Sequence, residues 1–187
     1  SFEVMWPSFY DIMREGIAAP HPLAERHGVY VIVEAGGFDP QVRDRLEACL
    51  ADAMAAGALA DAVIGANLRE DRSFWAVRES VTHYARILGP LTAFDIGIPL
   101  DRMAAAVADL EAALRASWPD VRALSYGHMG DSNLHLVVNC PSAAEQPSKE
   151  IKALVYGMTR DLGGTVSAEH GIGTSKRDVI GYSRSAE

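Results

Sequence analysis

Gly127–His135 reads GHMGDSNLH, a short polar turn with a histidine near each end, His128 and His135. Strand-like sequence flanks it, Val121 to Gly127 before and Leu134 to Asn139 after. The stretch therefore predicts a β-hairpin. With Asp131-Ser132 as the tightest part of the turn, antiparallel pairing sets 130 opposite 133 and 128 opposite 135. Direct cross-strand neighbours share a face of the sheet with Cβ atoms about 4.5–5.5 Å apart, which lets two imidazoles converge on one ion. Histidines on a hairpin are also ordinary polar-face residues, so the spacing alone leaves both readings open.

A second stretch, Gly163–Lys176, reads GGTVSAEHGIGTSK. Thr165 to Ala168 is strand-like and runs into Glu169-His170, then into a glycine-rich turn that needs packing to hold its shape. Glu169 is the candidate for a third, anionic ligand. Two imidazole nitrogens and one carboxylate oxygen suit zinc or another divalent first-row metal, with a position left for substrate.

Working outward, the chain alternates apolar strands with periodic helices. Ser1 to Gly16 reads as a short helix, and Ala18 to His27, with Pro20 and Pro22, as a loop. Val29 to Ala35 has the pattern of a central strand, and Asp39 to Gly57 that of an amphipathic helix carrying Val42, Leu46, Cys49, Leu50 and Met54. A short strand over Ala62 to Ala66, a helix over Arg69 to Leu88, a strand over Thr92 to Pro99 and a helix over Asp101 to Ser117 lead to the hairpin. A helix from Ser148 to Leu162 and the Glu169 strand follow it. Helix-connected strands with one tight hairpin predict an α+β fold: a largely antiparallel sheet, helices packed on one face, in ferredoxin-like halves. Residues 1–187 read as one domain.

The chain has 187 residues, with 25 acidic against 17 basic side chains. No long basic run marks a nucleic-acid or anionic-membrane surface. Cys49 and Cys140 form no CxxC pair and read as small buried thiols of a reducing compartment, so a cytoplasmic protein is the expectation. No apolar run is long enough to span a bilayer. GxSxG, HExxH, the P-loop and GxGxxG are all absent, so any nucleotide-sized redox cofactor must be held largely by another domain. The chain also starts and stops within ordered-looking sequence, which reads as a fragment of a longer polypeptide.

GHMGDSNLH followed by SAEHGIGTSKR resembles the paired signature of the C-terminal domain of FAD-linked oxidases, in the vanillyl-alcohol oxidase superfamily. That group includes D-lactate dehydrogenases, the glycolate oxidase flavin subunit and D-2-hydroxyglutarate dehydrogenase. WAVRES at Trp75, FDIGIP at Phe94 and RDVIGYS at Arg177 extend the likeness over most of the chain. The resemblance implies the substrate-binding half of an FAD-dependent enzyme that oxidises a D-2-hydroxy acid to the 2-oxo acid. It implies FAD bound mainly by a separate N-terminal domain of the same polypeptide, and a divalent metal, zinc or manganese. Homodimer formation is left open.

Carried over by position, His128, His135 and Glu169 match the family's metal ligands and His170 the base that takes the hydroxyl proton, work that suits a histidine. Arg78 and Thr82, one helical turn apart, match contacts to the substrate carboxylate, for which arginine offers a bidentate fork. The other reading of Arg78 is an ion pair with Asp71 or Glu79. Asn133 is read as touching ligand or bracing the hairpin backbone, and Lys176 as orienting the Glu169 loop or meeting an anionic cofactor group.

The chain departs from the pattern at two polar positions. Ala93 stands where many relatives carry a lysine, and Val137 where some carry an asparagine. Losing a cation and an amide argues for a smaller or more apolar 2-hydroxy acid than 2-hydroxyglutarate. Ser132 stands where relatives commonly carry glycine. Two rival readings are a metal-binding or regulatory domain that keeps the fold without redox chemistry, and a zinc hydrolase, which has the ligands but no partner nucleophile.

Overall fold

Proline sets the first boundary. The computed structural model describes residues 1–183, and in it Pro7 follows an extended Trp6 at φ −78°, ψ 159°, the conformation a residue before proline prefers. The helix expected over Ser1 to Gly16 is therefore split: Phe2–Met5 is strand β1 and Pro7–Gly16 is helix α1. β1 pairs with β2 (Tyr30–Val33) on one side and with β4 (Arg122–His128) on the other. The hairpin partner β5 (Asn133–Asn139) and then β3 (Thr92–Gly97) complete one five-stranded sheet in the order β2-β1-β4-β5-β3, every pairing antiparallel.

The α+β class and the antiparallel sheet are as expected. From β3 onward the path is ferredoxin-like, with helices α5 (Met103–Ser117) and α6 (Ser148–Asp161) flanking the β4–β5 hairpin. Residues Met103, Ala106, Val107, Leu110 and Leu114 of α5 recur at three- and four-residue spacing and are buried with Ile151, Val155 and Tyr156 of α6 on Phe94, Ile96, Leu134, Leu136 and Val138. Burying each of the Val, Leu, Ile, Phe and Met side chains among them contributes roughly 1.5–3 kcal/mol. The last strand of that half is reduced to a single bridge, Gly97 to Thr165.

Helices also lie on the opposite face. There α1 buries Phe9, Tyr10 and Met13 against Leu124, Tyr126 and Val137, together with Val77 of α3 (Leu68–Glu79). The expected one-sided arrangement therefore does not hold: α5 and α6 cover one face of the ferredoxin-like strands, and α1, entering directly from β1, covers the other face of β4 and β5.

The N-terminal half departs further from expectation. β2 is an edge strand and not a central one, and Val29, Val31 and Val33 are exposed; a β-branched run reports strand character without saying how many faces are covered. Helix α2 (Val42–Ala55) forms but buries none of its residues, Cys49 included, so that cysteine is exposed while Cys140 is buried. Ala62–Ala66 is no strand. The helix expected to run to Leu88 breaks after Glu79 into a 3-10 turn, Ser80–His83, and a short helix α4 (Tyr84–Ile87). Ser80 Oγ donates to the Val77 carbonyl, a local bond that competes with the helical ladder. Among the described residues no helix is long and apolar enough to cross a membrane.

The hairpin register differs by two residues from the one expected. His128 faces Asn133 and Tyr126 faces His135, because the connection is a 3-10 turn over Met129–Asp131 closed by Ser132 in the left-handed region at φ 55°. A shift of two keeps every side chain on its expected face, so both histidines still point the same way. Gly127 is required where the strands close: a Cβ there would run into the Asn133 carbonyl oxygen. Ser132→Gly is expected to raise stability by about 0.5 kcal/mol. It relieves roughly 1 kcal/mol of left-handed strain and gives back about half of that in unfolded-chain entropy. Urea unfolding checks this; a lowered midpoint would show that the hydroxyl holds the turn.

Candidate metal centre and active site

The α1 side of the sheet carries a polar row among apolar neighbours. On β4 and β5 the alternation that buries Leu124, Tyr126 and Val137 also presents His128, Asn133 and His135. The two imidazoles are diagonal neighbours with ring centroids 5.3 Å apart at 86°. Glu169, just after the Gly97–Thr165 bridge, brings its carboxylate 3.5 Å from His128 Nε2 and 3.8 Å from His135 Nε2. One ligand atom from each of the three lies within 4.8 Å of the others.

Electrostatics favour this donor set. Burial, with the neighbouring His128 next in weight, lowers the pKa of His135 to about 4, so its ring is neutral at pH 7 and has a lone pair to give. Two imidazoles and one carboxylate are borderline donors that suit zinc or manganese. Two carboxylates beyond these three side chains complete the wall. Glu3 of β1 contacts His128 Nδ1 at 2.9 Å and Arg78 Nε at 3.0 Å. Asp95 of β3 accepts the backbone N–H groups of Glu169, at 3.1 Å, and of His170, at 2.7 Å. Burial alone would raise both acids. Hydrogen bonds from His128 and Ser1 with the Arg78 charge outweigh it at Glu3, and the two N–H groups with Lys176 outweigh it at Asp95, so both carboxyls end below their usual values.

The structure brings His128, His135, Glu169 and Arg78 together. Arg78 pairs with neither Asp71 nor Glu79: its guanidinium is held by Glu3, places Nη2 3.2 Å from His128 Nε2, and lies over the Tyr126 ring. His170 stands at the rim, its ring centroid 5.9 Å from that of His135 and its side chain 70% exposed. Lys176 orients the loop, donating from Nζ to the Asp95 carbonyl and to Ser167 Oγ. Thr82 does not join them. It is exposed in the 3-10 turn, where three residues make a turn and the shared face of an unbroken α-helix with Arg78 is lost. Asn133 is wholly buried, and neither polar atom of its carboxamide has a partner among the described residues.

Glu3 and Asp95 escaped the sequence reading. A period-two pattern, Phe-Glu-Val-Met before Trp-Pro, marked β1 and put Glu3 on the face of Met5. Asp95 is the one charged residue of β3 and is buried, and a lone buried acid needs partners and thereby signals a site.

The pKa directions give a pH dependence. His135 titrates near 4 folded against 6.5 in the unfolded chain, so the folded state binds fewer protons between those values. Its contribution is complete above pH 6.5 and is lost as pH falls towards 4, at most about 3 kcal/mol. Glu3 and Asp95, with lowered values, add losses of the same sign below their unfolded values. Denaturant unfolding in chelator should show stability dropping between pH 6.5 and 4, with His135→Gln removing the upper part of the slope; a flat profile would contradict a neutral buried His135.

A shallow cavity of about 340 Å³ lined in part by Gly97, Ser132, Asn133, Gly164, Thr165 and Glu169 adjoins this cluster. Comparison with known families matches residues 1–187 to the model described as FAD linked oxidases, C-terminal domain. D-2-hydroxyglutarate dehydrogenase, mitochondrial, of Bos taurus is 34% identical over the whole chain and 34% of its own length. The mitochondrial D-2-hydroxyglutarate dehydrogenase of Arabidopsis thaliana is 32% identical over 89% of the chain and 30% of its own length. D-2-hydroxyglutarate dehydrogenase of Xanthomonas citri pv. viticola is 30% identical over 90% of the chain and 37% of its length. The chain spans about a third of the length of these relatives. Names specifying mitochondria overturn the cytoplasmic expectation; unpaired thiols report a reducing environment and not which membrane encloses it.

Proposed function

The chain belongs to the family of FAD linked oxidase C-terminal domains, and from that premise we propose that it is the substrate-side domain of a larger flavoprotein that oxidises a D-2-hydroxy acid to the 2-oxo acid. The observation that carries this reading is the convergence of His128, His135 and Glu169, with His170 on the residue next to Glu169. FAD, held mainly by the rest of the polypeptide, would supply the hydride acceptor when bound. His128, His135 and Glu169 would hold a divalent ion, which would supply Lewis-acid chemistry to the substrate oxygens.

The chain's own residues do the rest. His170 takes the hydroxyl proton as the C2–H bond breaks, so that loss of a hydride and a proton turns the alcohol into the ketone. Arg78 offers its guanidinium to the substrate carboxylate from a position fixed by Glu3. Tyr126, its ring centroid 4.9 Å from that of His135, closes that side of the site.

Ala93 and Val137 bear on the substrate. They are paired across β3 and β5, on the face that carries His135, so neither offers a polar contact beside the site. The relatives are named for D-2-hydroxyglutarate, whose second carboxylate would find neither a cation nor an amide at these two positions. The expected preference is a monocarboxylic 2-hydroxy acid with a small or apolar side chain, by roughly tenfold or more in kcat/KM. A panel of D-2-hydroxy acids assayed with an artificial electron acceptor on the whole protein tests both levels. Turnover favouring 2-hydroxyglutarate overturns the preference; no turnover of any member overturns the activity.

A further inference from the structure

Glu3 and Asp95 belong to no ligand, base or substrate contact, yet each faces one histidine in register: Glu3 faces His128 across β1 and β4, Asp95 faces His135 across β3 and β5. Their exposures are 6% and 4%. A carboxylate so buried is costly unless its acceptors are filled, and both fill them with parts of the site.

Glu3 acts on a side chain. A carboxylate has no proton to donate and a guanidinium no lone pair to accept with. His128 is bracketed by these two groups, Glu3 at Nδ1 and Arg78 Nη2 at Nε2. The only tautomer that satisfies both carries its proton on Nδ1 and keeps the Nε2 lone pair, the atom that faces Glu169. Asp95 acts on backbone. It takes the N–H groups of Glu169 and His170 together, while the Lys176 ammonium, 3.6 Å from Oδ2, balances its charge and ties in Ser167. The glycine-flanked segment that carries a ligand and the base side by side is thus anchored to a sheet strand.

We infer that Glu3 and Asp95 are the positioning residues of this site: Glu3 fixes the tautomer and ring orientation of His128, and Asp95 fixes the backbone from which Glu169 and His170 project. The inference deepens the metal reading and rests on it only for its functional consequence. Outer partners of this kind are worth about 10–100-fold in metal affinity.

The test uses Glu3→Gln and Asp95→Asn in the whole protein. An Asp95→Asn/Lys176→Met variant joins them, so that an orphaned ammonium is not mistaken for a lost anchor. The first readouts need no metal. Nitrogen-15 histidine spectra should show His128 as the Nδ1–H tautomer, becoming mixed in Glu3→Gln. Amide exchange at Glu169 and His170 should quicken at least tenfold in both Asp95 variants, with β4 and β5 unchanged. The second readout is zinc titration, in which the dissociation constant should rise about 10–100-fold in each variant, beside a His128→Ala control. Unchanged tautomer and unchanged amide exchange overturn the inference, as does wild-type zinc affinity in variants when His128→Ala has lost it. If the spectra shift as expected and even the wild type binds no zinc, the positioning roles hold and it is the metal reading that falls.

Discussion

Glu169→Ala and His128→Ala are each expected to strip the purified protein of its metal. Elemental analysis should find about one equivalent of zinc or manganese in the wild type and almost none in either variant, a loss in affinity on the order of a hundredfold or more. The geometry makes the two substitutions informative in different ways. Glu169 is 40% exposed and closes the pincer from a loop, so its removal leaves the sheet intact and deletes the anionic member of the proposed ligand set. His128 lies inside the sheet between Glu3 and Arg78, which keep each other paired when the ring is gone, so its removal also spares the fold. Glu169→Gln keeps the shape and loses the charge, and is expected to retain only weak binding. Wild-type protein without metal after incubation with excess zinc or manganese, or variants that keep a full equivalent, would return the two histidines to ordinary hairpin residues.

That expectation stands on a register that sequence reasoning placed two residues away from where it lies. It survived because parity, not exact pairing, decides which face a strand residue occupies. Alternation over Leu134 to Asn139 was legible, as was the periodicity of α5 and α6, and these fix the ferredoxin-like half and the face of His128 and His135. The turn itself was less legible. Nothing in Met-Gly-Asp-Ser announces a 3-10 turn closed by a left-handed serine, a residue type that seldom adopts that conformation.

The N-terminal half was harder to read for a different reason. Burial there depends on which strands neighbour one another, and Val29 to Val33 and α2 look apolar in sequence whether or not something covers them. Arg78 and Thr82 show the same limit at the site. Their four-residue spacing promised a shared face, but Ser80 redirects the chain between them, and the partner of Arg78 comes from seventy-five residues away. Long-range ion pairs leave no local trace. The motif residues of the site were legible individually, and the acids that hold them were not.

His170→Asn is expected to lower kcat with a D-2-hydroxy acid by about 10²–10⁴-fold, the usual worth of a general base, with metal content unchanged. The argument is one of position. Backbone donation from His170 to Asp95 sets where the side chain starts, and the ring then stands beyond His135, 3.8 Å by Nδ1 from Asp95 Oδ2 and largely open on its outer side. An imidazole there reaches the rim of the ligand cluster without joining it, which suits a group that must take a proton from a bound hydroxyl and pass it to water. Asparagine keeps the N–H bond to Asp95 and the approximate volume while removing the base. Steady-state kinetics on the whole protein should therefore show kcat and kcat/KM falling together, the pattern of an interaction made in the transition state, with KM moving by no more than a few-fold. A fall of less than about fivefold would remove His170 from the base role, and a rise in KM at constant kcat would mark it instead as a substrate-binding residue.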